Sequence, residues 1–202
     1  MAEKRIGKVV KSNNHCDYVV ELDDRLTVKT PPTIEDYAFG TFVKLESEQR
    51  HWAVGVIYNT QLFNPSFLNS GPRLASDPSP FFAPDLQSEM RTLLGVVLLG
   101  SLEFSSGQPY GVQGIPKVVV PIHTLVYRMT EEEIYQFHQD RAARTQFAYY
   151  GLLLNSGGVF APHVLRHILD QVSPMFYGQQ RRALEILSRE LAWKLTLGAM
   201  NA

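Results

Sequence analysis

The chain has 202 residues, with 19 Lys and Arg against 20 Asp and Glu and a formal net charge of -1. That length fits one large or two small domains, and 45% hydrophobic with 11% aromatic residues is enough for a packed core and excludes a disordered tail. The charge is balanced both before and after residue 129, which excludes a strong electrostatic pull on nucleic acid or acidic membrane.

Cys16 is the only cysteine, so no intrachain disulfide or Cys-rich zinc site can form. No apolar run reaches the ~18–20 residues of a membrane span, and the opening MAEKRIGKVV lacks a signal-peptide core. A soluble, cytoplasmic protein without membrane contact is expected.

The first half reads as short strands. Arg5–Val10 forms an opening strand. Tyr18–Leu22 and Arg25–Lys29 flank Asp23-Asp24, which predicts a hairpin. Leu26 and Val28 alternate with Arg25, Thr27 and Lys29, the period of a half-buried strand. Thr41–Leu45 and His51–Tyr58 follow, joined by the charged stretch Glu46–Arg50. Trp52, Val54, Val56 and Tyr58 share one strand face, and Gly40 and Gly55 suit a tightly curved sheet.

Five prolines between 64 and 84, with Phe67, Phe81 and Phe82, predict a packed loop. Asp85–Thr92 reads as a short helix or the start of a strand. Leu93–Leu99 reads as a buried strand, from its β-branched residues. Gly107, Gly111 and Gly114 predict a turn, and Val118–Tyr127 a last strand. Short strands at this spacing suggest a small barrel or sandwich.

At Thr130 the period changes. Thr130-Glu131-Glu132-Glu133 matches a capping box and predicts a helix running to Asn155, stopped by Ser156-Gly157-Gly158. Pro162 opens a second helix, whose Val164, Leu165, Ile168, Leu169 and Val172 form an apolar stripe. After Ser173-Pro174 a last helix spans about Gln179–Leu197. Leu184, Leu187, Leu191 and Leu195 line one side. Glu185/Arg189 and Glu190/Lys194 are i,i+4 pairs. Ile186, Trp193 and Leu197 form a second apolar strip, more than one partner surface requires.

Ile6–Val10, Phe39–Val43, Ala53–Ile57, the Pro-rich insertion, Leu94–Leu98 and the closing Ile115–Pro121 before a helix resemble the HAS-barrel. That is the N-terminal β-barrel of HerA-type DNA-translocating ATPases and of ATP synthase subunits. The resemblance covers about residues 4–135. It implies a barrel that makes contacts within an assembly. No G-x-x-x-x-G-K-[ST] phosphate loop occurs, so the motor half of those proteins is missing and the resemblance does not imply ATP hydrolysis.

Several residues invite chemistry. His163 and His167, four apart with Asp170 a turn on, have metal-ligating spacing, yet they lie opposite the apolar stripe, as on any solvated helix face. His15-Cys16-Asp17 would matter only if the imidazole activated the thiol, and adjacent residues near strands point apart. His138 beside Ile134 and Tyr135 reads as a histidine bonded at a helix interface.

The Gly111–Gly114 and Ser156–Gly158 stretches are too short for phosphate loops. Arg141/Arg144 and Arg181/Arg182 have acidic neighbours and read as helix surface. Trp52, Tyr58 and Phe42 read as barrel core rather than as a stacking platform for single strands.

The expectation is therefore an α+β protein, with a small antiparallel β-barrel over 1–128 and an all-helical segment over 129–202. It predicts no catalytic, cofactor-binding or metal residues and no cofactor. The function expected is non-enzymatic assembly or adaptor work through protein contacts, with Ile186, Trp193 and Leu197 as interaction residues. Partners are other proteins, a ring ATPase or DNA-processing complex from the resemblance, or further copies of the chain. The alternatives are a nucleic-acid-binding barrel, disfavoured by the charge balance, and a metal-dependent hydrolase using His163, His167 and Asp170.

Overall fold

The structure, a computed structural model, describes residues 4–46, 52–63, 91–105, 107–117, 119–156 and 158–200, without the side chains of Trp52 and of residues 194–200. Its strands are β1 (Arg5–Ser12), β2 (Asp17–Leu22), β3 (Phe42–Glu46), β4 (Trp52–Phe63), β5 (Arg91–Ser105), β6 (Gln108–Gln113) and β7 (Leu125–Arg128). The helices are α1 (Glu131–Phe137), α2 (Tyr150–Ser156), α3 (Ala161–Val172) and α4 (Gly178–Met200).

Every ladder is antiparallel, in the order β2-β1-β7-β3-β4-β5, and β2 pairs with β5 to close a barrel. The long β5 uses one edge twice. Residues 93–97 pair with β2, and residues 100–105 pair with β6, beyond the barrel.

Alternation assigns the faces. Ile6, Val9, Tyr18, Val20, Val43, Leu45, Ile57, Leu94, Val96 and Leu98 fill the lumen. Phe42, Val54, Val56, Val97, Leu99 and Leu102 point outward from β3–β5 and meet the helices in a second core. This double burial explains the unbroken apolar run of β5, since a strand covered on both faces has no solvent side to make polar. The helical segment contributes Ile134, Phe137, Leu153, Leu184, Leu191 and the whole α3 stripe to that outer core. β7 ends at Arg128 and α1 begins at Glu131, but the outer wall of the barrel and the helices share the second core.

Four expectations need correction. Arg25–Lys29 is a turn, not a strand. The Asp24 carboxylate accepts from the Leu26 and Thr27 amides and from the Thr27 hydroxyl, the local capture that aspartate offers to turns, and Leu26 is 80% exposed. The strand expected over Val118–Tyr127 shrinks to Leu125–Arg128, because the chain turns at Pro121–Thr124 with His123 at φ 66°.

The expected glycine turn at 107–114 holds the strand β6. Gly111 serves there for close approach, since a Cβ would overlap the Phe137 carbonyl. The single helix expected over Thr130–Asn155 stops at His138. Asp140 accepts from the Ala142 and Arg144 amides and pairs with the Arg144 guanidinium, and Ala143 adopts φ 58°. That turn separates α1 from α2. The predicted Pro-rich loop and the link 47–50 lie outside the described residues.

α4 is held through Leu184 and Leu191, both buried. Arg181 and Glu185 pair on it at 2.9 Å, one turn before the predicted Glu185/Arg189, and the Lys194 side chain of the predicted Glu190/Lys194 lies outside the described residues. No helix among the described residues is long and apolar enough to cross a membrane.

Candidate functional site

Beyond the barrel, the β5–β6 hairpin carries its lumen-side face outward. Ser101 pairs across with Val112, and Glu103 with Tyr110. Opposite this face residues 114–117 and 119–121 form a strap. The Gly114 amide bonds to the Leu99 carbonyl. The His15 Nε2–H donates to the Pro116 carbonyl at 2.6 Å. The Val120 amide donates to the Tyr18 hydroxyl at 3.2 Å. Between hairpin and strap lies a cleft of about 610 Å³, floored by Leu45, Ala53 and Val120, within the range of ligand pockets.

Most of the lining is apolar, and among the described residues it holds two charged groups, Glu103 and Lys117. The Glu103 carboxylate is oriented by the Tyr110 hydroxyl at 3.0 Å and the Ser101 hydroxyl at 3.4 Å. Bonding to that carboxylate pushes the Tyr110 phenol pKa up, because it favours the protonated donor. Ile115 and Val119 on the strap, and Ile122 just past it, are each about three-fifths exposed.

The residues singled out from sequence are scattered by the fold. Ile186 and Trp193 stand on the outer face of α4, 64% and 65% exposed, opposite buried Leu184 and Leu191; the Leu197 side chain lies outside the described residues. His163, His167 and Asp170 are exposed on α3. The His167 ring stands edge-on to Phe39 at 5.6 Å, and its Cβ lies against Gly40, at φ 83°. Among the described residues no three His, Cys, Asp or Glu side chains gather closely enough to hold a metal ion.

Cys16 is buried while His15 points to the strap, and burial pushes the thiol pKa up, away from a reactive thiolate. Phe42 and Tyr58 lie outside the lumen rather than in it, where Phe42 is buried beneath the helices and Tyr58 packs against that outer core. The Tyr58 hydroxyl donates to Asp17 at 2.8 Å, and burial with that bond pushes its pKa up to about 12.

Two buried polar contacts tie the helices down. The Lys44 ammonium, with no exposed surface, lies 2.6 Å from Glu133 Oε1. Glu133 Oε2 accepts from the Thr130 amide, closing the capping box. His138 donates from Nδ1 to the Ile134 carbonyl and accepts at Nε2 from the Tyr149 hydroxyl, both at 2.7 Å. Burial pushes the His138 pKa down to about 4.

The cleft was invisible in the sequence because its hairpin wall reads as a glycine turn. The one available signal is Leu102-Glu103-Phe104, a charge set into an otherwise apolar strand.

The molecule is thus a closed six-stranded antiparallel barrel whose outer wall is covered by C-terminal helices, with a cleft at one mouth. A family model for a domain of unknown function, DUF8166, matches residues 1–201, and the chain belongs to that family. No curated protein matches it.

Proposed function

We propose that this protein is a non-enzymatic assembly or adaptor protein that works through protein contacts. The observation that carries this reading is the outer face of α4, where Ile186 and Trp193 stand exposed while Leu184 and Leu191 hold the same helix to the core. Aromatic side chains that are large, rigid and exposed are the usual anchors of protein interfaces. The resemblance to ring-forming barrels suggests a ring ATPase or DNA-processing complex as the setting, and a further copy of this chain as another partner.

Chemical cross-linking in the native cell, comparing the wild-type chain with Trp193→Glu, tests the reading. A discrete set of protein cross-links lost in the variant supports it, and an unchanged pattern refutes the role of this face. Light scattering over a concentration series tests self-association. A mass above 23 kDa that falls in the variant supports it, and a constant mass near 23 kDa at ~100 μM, where weak specific contacts should show, removes the second copy from the partners.

A further inference from the structure

We propose that the barrel-mouth cleft is a peptide-recognition pocket that takes one lysine side chain from an extended, otherwise apolar segment of a partner protein. This rests on the adaptor reading and supplies a chemistry for one partner.

Three observations carry it. The first is charge complementarity. Among the described residues the cleft wall holds one carboxylate, Glu103, whose two oxygens are oriented by Tyr110 and Ser101. Those two donors leave further lone pairs available, since an ionised carboxylate accepts about four hydrogen bonds. A carboxylate fixed beside an apolar wall calls for a cation, and bonds between two ionised groups are the strong ones.

The second is the chemistry of the walls. Leu45, Ala53, Val112 and Val120 line the same cleft as Glu103. A lysine presents this combination, an aliphatic stem that packs on apolar surface and an ammonium at its tip.

The third is the apolar rim. Ile115, Val119 and Ile122 continue the apolar surface along the strap and past it. A small amine would occupy only part of the cleft and leave that rim in water, whereas neighbouring residues of a bound peptide would cover it. Lys117, exposed on the strap, opposes any cation in the cleft, so the bound lysine depends on its direct contact with the Glu103 carboxylate and further basic residues in the segment are disfavoured.

The test titrates the purified full-length chain, labelled with nitrogen-15, with a blocked Leu-Ala-Lys-Ala-Leu peptide. The expected result is saturable shifts of the Glu103, Ile115, Val119 and Val120 amides. Replacing the peptide lysine by norleucine, which keeps the stem and removes the charge, should weaken binding about tenfold or more, as should Glu103→Gln in the protein. The glutamine still accepts from Tyr110, so the hairpin is expected to keep its fold, and the norleucine arm reads the same contact with no change to the protein.

Hexylammonium should bind much more weakly than the peptide. No shifts with the peptide would overturn the proposal, and so would equal binding of the norleucine peptide. Hexylammonium binding as tightly as the peptide would also overturn it, in favour of a small-amine site. The titration uses no partner and leaves α4 untouched, so a failure here leaves the Trp193 test of the adaptor reading standing. Conversely, peptide binding retained by Trp193→Glu would keep the pocket even if that helix face proved inert.

Discussion

Lys44 stands on the outward face of β3, between lumen residues Val43 and Leu45, where alternation alone would leave a lysine in water. The helices cover that face, and its ammonium is buried against Glu133. Glu133 serves Lys44 with one oxygen and the α1 cap with the other. Glu133→Ala is therefore expected to cost about 2 kcal/mol, since it removes a charge-assisted bond from a buried ammonium together with the side chain that closes the α1 cap. Urea unfolding checks it; a loss within about 0.5 kcal/mol, the scale of an ordinary surface substitution, would show that the pair contributes little.

His138 makes a second prediction. Burial holds its pKa near 4, while in the unfolded chain it lies at ~6.5. The folded state thus binds fewer protons between those values. Its contribution is fully present above pH ~6.5 and is lost as pH falls toward 4, about 3 kcal/mol in all. Asp24, Asp36 and Asp140, whose pKa values are held below the ordinary carboxylate value, add their losses below that window. The His138 ring resonances should show no titration above pH 5, and a midpoint near 6.5 would contradict the buried arrangement.

At the scale of elements, β6 and α1 touch through backbone at Gly111. The Gly111 amide donates to the Gln139 carbonyl, and the Gln146 side chain donates to the Gly111 carbonyl at 2.7 Å. Gly111→Ala would drive a methyl into the Phe137 carbonyl. A loss of about 1–3 kcal/mol is expected, the range for forced overpacking, read as a lower urea midpoint. Wild-type stability in this variant would mean that the hairpin and α1 can separate cheaply.

α4 offers a paired comparison on one helix. Leu191 is buried and Trp193 is not. Leu191→Ala should cost about 2–4 kcal/mol, whereas Trp193→Glu should stay within about 0.5 kcal/mol. If Trp193→Glu melted the protein instead, the second strip would be ordinary core.

For the whole molecule, the decisive feature is the apolar outer wall of the barrel. Phe42, Val54, Val56, Val97, Leu99 and Leu102 are buried by the helices rather than by the lumen. A chain cut near Met129 would leave these six side chains exposed in one contiguous patch, well beyond what soluble monomers carry. Such a barrel should keep strand signal in circular dichroism and yet aggregate. A soluble, monodisperse fragment with unchanged melting would show the helices to be an independent appendage.

The barrel and the helical segment after it were legible in the sequence because both depend on local periodicity. Val54, Val56 and Tyr58 share one strand face, and Val164, Leu165, Ile168, Leu169 and Val172 recur at helical spacing, whatever the rest of the chain does. The Thr130–Glu133 cap is equally local and forms as read.

Of the candidate interaction residues, sequence showed that Ile186 and Trp193 lie on a second strip of α4, away from Leu184 and Leu191, because the position of a strip on a helix is again a matter of period. The strand β6, the turn at Asp140 and the cleft were decided by tertiary contact. Gly111 is a strand residue because Phe137 leaves no room for a side chain. Lys44 is buried because a helix lies over it. Glu103 becomes the charged wall of a cleft because a strap pinned by His15 and Tyr18, some hundred residues away in sequence, closes across it. No pattern along the chain encodes a distance of that kind, since it is set by which surfaces meet once the local elements have formed.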